Sequence, residues 1–184
     1  MARAVCPRCE RPLATCLCGT LPAAPLAHRT ELLILQYPAE AGHAKNTAAL
    51  LTLGLQSARL LRGEMFDAGL AVPGTALLYP GEGDTAAAPR DVNRLVLLDG
   101  SWRQSRRLLA ANPWLAALPR LALPGQPGRY ALRRAHRPGQ LSTLEAGLHA
   151  LALLEGGPER FEPLWAAFEA FVQAGLYRRE TGMA

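Results

Sequence analysis

An α/β fold is what this sequence predicts: a mostly parallel sheet covered by helices, preceded by a small segment holding four cysteines. Three observations predict it. Short unbroken apolar runs at 32–35, 76–79 and 95–98 have the length and composition of strands buried on both faces of a parallel sheet. The runs at 32–35 and 95–98 are each followed by a turn-forming stretch and a helical pattern, the strand–loop–helix form of a βα unit. All four cysteines, Cys6, Cys9, Cys16 and Cys18, fall ahead of these runs.

The chain of 184 residues is long enough for one domain with a substantial core and a small appendage. A hydrophobic content of 49% excludes a disordered chain. No stretch reaches the ~18 uninterrupted apolar residues of a membrane span. The opening stretch MARAVCPRCERP lacks the apolar core of a signal peptide. A cytoplasmic protein with no membrane partner is the expectation. The net charge is +5, and with Lys45 the single lysine, nearly all of the positive charge is arginine. That balance favours a polyanionic partner through phosphate neutralisation, with compositional drift as the alternative source.

Cys-x2-Cys, six residues and Cys-x-Cys gather four thiols in a segment too short for its own core. Zinc held by four sulfurs would order it; two disulfides are the alternative, which a cytoplasmic compartment disfavours. Residues 19–29 carry two prolines and no clear periodicity and read as a connector. The expected division is a cysteine segment with connector at 1–25 and a main domain at 26–184.

In the main domain, Asn46 or Thr47 is suited to cap a helix carrying Ala48, Leu50, Leu51, Leu53 and Leu55. Residues 57–63 fit a helix tail or a short strand. The run at 76–79 is closed by Pro80-Gly81-Glu82-Gly83, glycines that permit close backbone approach to a ligand. A further short strand is expected at 121–123, between two prolines. Ser142-Thr143 ahead of Glu145 and an apolar pattern from Leu148 to Leu154 is a capped helix start, and Gly156-Gly157-Pro158 ends that helix. Finally, 161–176 places Phe161, Leu164, Trp165, Phe168, Phe171 and Val172 on one helical face, a core-packing stripe.

The candidate site lies at 95–109, LVLLDGSWRQSRRLL. Asp99-Gly100-Ser101 stops the strand, and Trp102, Leu108 and Leu109 then alternate with Arg103, Arg106 and Arg107. An acid at the C-terminal end of a buried strand, before a glycine turn and a helix N-terminus, is where open α/β sheets bind ligands. Simple capping by Asp99 or Ser101 is the alternative.

The ordered motifs identify a family. Asp99-Gly100-Ser101-Trp102 resembles the Asp-Gly-Thr-Trp signature of the DTW-domain family, with Ser101 in place of threonine. Pro38-x-Glu40 with Asn46-Thr47, the aliphatic strand ending at Tyr79-Pro80, Tyr130-x-x-Arg133 and Leu141-Ser142-Thr143-Leu144-Glu145-Ala146 resemble further family motifs in the family's order. The cysteine cluster does too, whereas Ala48 stands where many members carry glycine. The resemblance runs from the cysteines to about Leu154. It implies a SPOUT-like fold with a C-terminal trefoil knot, which no periodicity predicts.

The activity implied is that of the bacterial members. They transfer the 3-amino-3-carboxypropyl group of S-adenosylmethionine (SAM) to N3 of a tRNA uridine, in the variable loop at tRNA position 47, giving acp3U. A SPOUT RNA methyltransferase and a non-catalytic, zinc-stabilised RNA-binding module are the alternatives. On this reading Asp99 is the first candidate to accept the N3 proton, or else binds the donor's ammonium. Glu145 is the second candidate for either role, or the capping partner of Ser142. Arg133, Ser142, Thr143 and the helix N-terminus behind them suit the donor carboxylate. Tyr79, Pro80, Gly100, Ser101, Trp102, Tyr130 and Leu141 are expected beside the donor, Trp102 against adenine or as core. Asn46 and Thr47 either cap or touch RNA. Arg103, Arg106, Arg107, Arg134 and Arg137 are the expected phosphate-binding rim, with Arg133 able to join it and Arg3, Arg8 and Arg11 near the cysteines also available to RNA.

Overall fold

The computed structural model describes residues 4–43, 45–80, 91–123, 128 and 141–181, the side chains of 179 and 180 excepted. The expected site residues Tyr130, Arg133, Arg134 and Arg137 lie outside the described residues, as do Arg3, Gly81 and Gly83. Five strands form one sheet: β1 Glu31–Gln36, β2 Ala58–Arg62, β3 Thr75–Leu78, β4 Arg94–Asp99 and β5 Arg120–Leu121. Their order is β2-β1-β4-β3-β5. Every pairing is parallel. The described helices are α1 Ala48–Gly54, α2 Trp102–Ala111, α3 Pro113–Ala116, α4 Thr143–Glu155 and α5 Glu162–Thr181.

The apolar runs become strands because both faces of the sheet are covered. Leu32, Ile34, Leu95 and Leu97 point to one face and pack with Leu50 and Leu51 of α1, Leu148 of α4 and Phe168 of α5. Leu33, Leu35, Leu77 and Val96 point to the other, where Leu115 of α3 and the partly buried Phe66, Leu109 and Trp114 cover them. The period of two in a strand thus sends adjacent leucines into separate cores. Each fully buried leucine contributes about 1.5–3 kcal/mol. The ambiguous stretch 57–63 is strand β2, drawn into the sheet by its pairing with β1 from Ala58 to Arg62. Asn112-Pro113 ends α2, and proline then opens the short α3. The strand expected at 121–123 is shorter and begins earlier, pairing with β3 only through Arg120 and Leu121. The last helix runs to Thr181, beyond its apolar stripe.

The cysteine segment packs on the sheet domain. Leu17 joins the larger core. Leu26 lies alongside Leu55, its N–H donating to the Gly54 carbonyl (2.8 Å) and its carbonyl accepting from the Gln56 N–H (3.0 Å). Arg11, expected at phosphates, is instead 4% exposed. Its Nη1 donates to the Asn46 carbonyl (3.0 Å) and its guanidinium sits 4.9 Å from the Phe171 ring centroid. Burial against α5 and the loop before α1 has made this arginine a tie between segments.

Because all strands run in one direction, their C-terminal ends share one edge. There the register sets Gln36 of β1 directly between Arg62 of β2 and Asp99 of β4.

Candidate active site

Asp99 is the last residue of β4 and only 3% exposed. Three side chains donate to it. Gln36 Nε2 (2.8 Å) and Asn46 Nδ2 (2.7 Å) meet Oδ2, and Thr143 Oγ1 meets Oδ1 at 2.5 Å. A carboxylate has about four acceptor positions across its two oxygens, and three are used. Among the described residues, Oδ1 therefore keeps one acceptor position open. The strand-end acid and the serine–threonine helix start, 44 residues apart in sequence, meet at hydrogen-bonding distance.

Both helix starts at this edge are capped. Ser101 Oγ accepts from the Gln104 N–H (3.3 Å), while Gln104 Oε1 accepts from the Ser101 N–H (2.5 Å). Ser142 and Glu145 repeat the arrangement on α4, at 3.3 Å and 2.7 Å. Such reciprocal boxes satisfy two of the donors that a helix start otherwise leaves orphaned. Glu145 is fully buried, so its carboxylate serves first to hold the start of α4. Gly100 has a spatial requirement, since a Cβ there would sit 3.0 Å from Gln104 Cβ and 3.5 Å from Tyr37 Cβ.

Asn46 and Thr47 are both buried, and the bonds seen at their side chains are internal. Asn46 Oδ1 accepts from the Ala48 N–H (2.9 Å), capping α1, and Thr47 Oγ1 accepts from the Leu144 N–H (3.2 Å). Asn46 ties the start of α1 to Asp99, and Thr47 ties it to the start of α4. Here the capping alternative describes Asn46.

Beside the acid lies an aromatic wall. Trp102, 45% exposed, meets the Tyr79 ring edge-on, with centroids 5.8 Å apart and planes at 76°. Arg120 lies 5.3 Å from the Tyr79 ring centroid and donates Nη1 to the Pro80 carbonyl (3.2 Å). Trp102 is thus a surface wall and not core. Arg103, Arg106 and Arg107 are exposed on α2, and Arg107 Nη1 also donates to Tyr37 Oη (3.3 Å). Leu141 and Ser142 are half-buried at the start of α4.

The sequence reading missed Gln36, Arg62 and Arg120. A polar residue ending an apolar run was visible in the case of Gln36. What it faces depends on register, which no local pattern encodes.

The cysteines form a second site. All four Sγ atoms lie within 4.8 Å of one another. Cys6–Cys18 and Cys9–Cys16 are each 3.7 Å apart. Tetrahedral zinc with bonds of ~2.3 Å needs sulfurs about 3.8 Å apart, so the thiols fit the ion. The backbone N–H groups of Cys9 and Arg8 pull the Cys6 thiol down to about 6, toward the thiolate that a metal binds. Burial pushes Cys18 up to about 12.

Known proteins resemble the chain along most of its length. The DTW domain matches residues 3–176. The chain is 35% identical to tRNA-uridine aminocarboxypropyltransferase 2 of Drosophila melanogaster over 84% of its own length and 68% of that protein. It is 33% identical to the Mus musculus protein of the same name, over 83% and 57% respectively. With tRNA-uridine aminocarboxypropyltransferase A of Arabidopsis thaliana it shares 32% identity, over 60% of this chain and 52% of that one. It thus spans from about half to about two thirds of the length of these relatives. No solved structure matches it significantly. A signature corner with its acid at a strand end, a capped helix start bonded to that acid, and a match across nearly the whole chain lead to one conclusion: the chain belongs to the DTW domain family.

Proposed function

We propose that this protein transfers the 3-amino-3-carboxypropyl group of SAM to N3 of a tRNA uridine, giving acp3U. The observation that carries the reading is the junction of Asp99 with Thr143 in a chain whose relatives bear the aminocarboxypropyltransferase name. The residues present fit such a donor. Asp99 Oδ1 offers an acceptor for its ammonium, the Ser142 hydroxyl and the Thr143 N–H at the first turn of α4 offer donors for its carboxylate, and the open side of Trp102 offers a surface for adenine. The donor supplies a Cγ made electrophilic by the adjoining sulfonium, with neutral methylthioadenosine as leaving group. N3 gives up its proton to solvent water as the N3–Cγ bond forms and the Cγ–S bond breaks. Holding the two reactants in line supplies much of the acceleration.

Between the two carboxylates, Asp99 is the one we place facing the reactants, because it ends β4 at the shared strand edge whereas Glu145 closes the capping box of α4. Three donors already meet Asp99, and the acceptor position left on Oδ1 suits anchoring the donor's ammonium. Arg103 and Arg106 supply a phosphate-binding rim. The four cysteines hold a structural zinc, supported by their 3.7 Å spacings. A SPOUT-like chain path with a C-terminal knot is part of the proposal. Its support is the family membership together with the all-parallel sheet, and tracing the chain from β5 to α4 in a crystal structure tests it. Among the described residues no helix is long and apolar enough to cross a membrane, and we place the protein in the cytoplasm.

The test is transfer from SAM labelled separately in the methyl and the carboxypropyl group to unmodified tRNA. Carboxypropyl label is expected in the RNA, lost with Asp99→Ala while the far-UV spectrum stays native. Methyl label in the RNA would make the protein a methyltransferase. RNA binding without transfer of either label would make it a binding module.

A further inference from the structure

We propose that Arg62, Gln36 and Glu10 are positioning residues for Asp99, so that the turn held between Cys9 and Cys16 aims the carboxylate at the strand ends. The inference rests on the reading of Asp99 as the group that faces the donor.

The row Arg62–Gln36–Asp99 crosses three neighbouring strands in register. Gln36 bridges it: Oε1 accepts from Arg62 Nε (3.0 Å) and Nε2 donates to Asp99 Oδ2 (2.8 Å). A guanidinium only donates and an ionised carboxylate only accepts, so the amide between them has one permitted orientation. Take away the arginine and Gln36 loses its second anchor, so the amide that holds Oδ2 is free to shift along the strand ends and carry the carboxylate with it. Arg62 is itself held, its Nη2 pairing with Glu10 Oε2 at 2.5 Å. Glu10 sits at φ +55°, in the left-handed region, where its N–H donates to the Cys6 carbonyl (2.9 Å).

A second branch leaves the adjacent residue. Arg11 Nη1 donates to the carbonyl of Asn46, whose side-chain oxygen takes the Ala48 N–H and whose Nδ2 donates to Asp99 Oδ2. Both branches start from consecutive residues of the cysteine turn and end on the same oxygen. Oδ2 is thereby the held side of Asp99, and Oδ1, shared with Thr143, is the side turned to the reactants.

The Glu10 branch can be cut without endangering the fold. Its ion pair is exposed, with side chains 62% and 47% accessible, and exposed pairs contribute little to stability. Arg62→Met is expected to lower kcat about tenfold, as small misplacements at a reacting centre do, with KM for tRNA and Tm unchanged. Arg62→Lys recovers part of the loss, and Glu10→Gln alone causes a smaller loss of kcat in the same direction. The side-chain carboxyl 13C resonance of Asp99, assigned by its absence in Asp99→Asn, is expected to move in Arg62→Met without any ligand. An unchanged kcat, a loss confined to the KM for tRNA, or an unmoved carboxyl resonance overturns the proposal. Should the wild-type protein transfer nothing while the resonance moves in Arg62→Met, the enzymatic reading fails and the aiming of Asp99 stands.

Discussion

His28 shows how a single titratable side chain ties a connector to the sheet. Its Nε2 accepts from the Ser57 N–H (3.1 Å), which leaves Nδ1 to donate to the Thr30 carbonyl (2.8 Å), so the neutral ring with the proton on Nδ1 is the form that fits. Burial lowers its pKa from the ordinary 6.5, outweighing the opposing pull of the Thr30 carbonyl and of Glu155. The unfolded chain therefore binds a proton more readily than the folded one. The stabilisation is present above about pH 6.5 and is lost as pH falls through the lower folded value. Urea unfolding between pH 7.5 and 5.5 is expected to show stability decreasing on the acid side in the wild type and a flatter profile in His28→Gln. Equal slopes would remove His28 as the source. Asp99 teaches a related lesson: a residue legible as a site acid is also a structural acceptor for three separate stretches of chain, and its partner Gln36 looks unremarkable in sequence.

At the scale of elements, helix starts do the aiming. α2 and α4 begin with the same box, Ser101 with Gln104 and Ser142 with Glu145, and both open at the edge where β1 and β4 end. The second box was legible as Ser-Thr-x-Glu ahead of leucines, because a cap and its partner are three residues apart and need no tertiary context. Ser142→Ala removes one acceptor and is expected to cost about 1 kcal/mol. In a chain of this size that corresponds to a Tm lower by about 2–4 °C, read by calorimetry. α4 also approaches α1 and β4 closely through Gly147, where a Cβ would lie 3.0 Å from Leu51 Cδ1 and 3.3 Å from Leu97 Cδ2. β2 was illegible for the opposite reason: half-exposed and short, it owes its conformation to β1.

For the whole molecule, the surplus of arginine sorts into three uses that composition cannot separate. Arg11 is buried as a tie, Arg62 is engaged with Gln36 and Glu10, and Arg103 and Arg106 are exposed on α2 near the acid. The net charge of +5 is thus a loose guide to the RNA contact, and the exposed pair is the sharper one. Arg103→Ala/Arg106→Ala is expected to reduce the slope of log affinity for tRNA against log salt by about 2, with donor affinity unchanged. Fluorescence anisotropy from 50 to 200 mM salt measures it; an unaltered slope would place the RNA on another face.

By itself the sequence determined the parallel, helix-covered sheet, the capped starts of α1 and α4, the gathering of four thiols and the strand-end acid. Each of these is written in neighbouring residues, as an apolar run, a cap three residues from its partner, or a short cysteine spacing. Tertiary structure alone decided that β4 lies beside β1, that Gln36 stands between Arg62 and Asp99, and that Thr143 reaches the acid from 44 residues away. Strand order and register arise from how two cores fill on opposite faces of one sheet. That is a property of the packed whole, with no signature in any single stretch of chain.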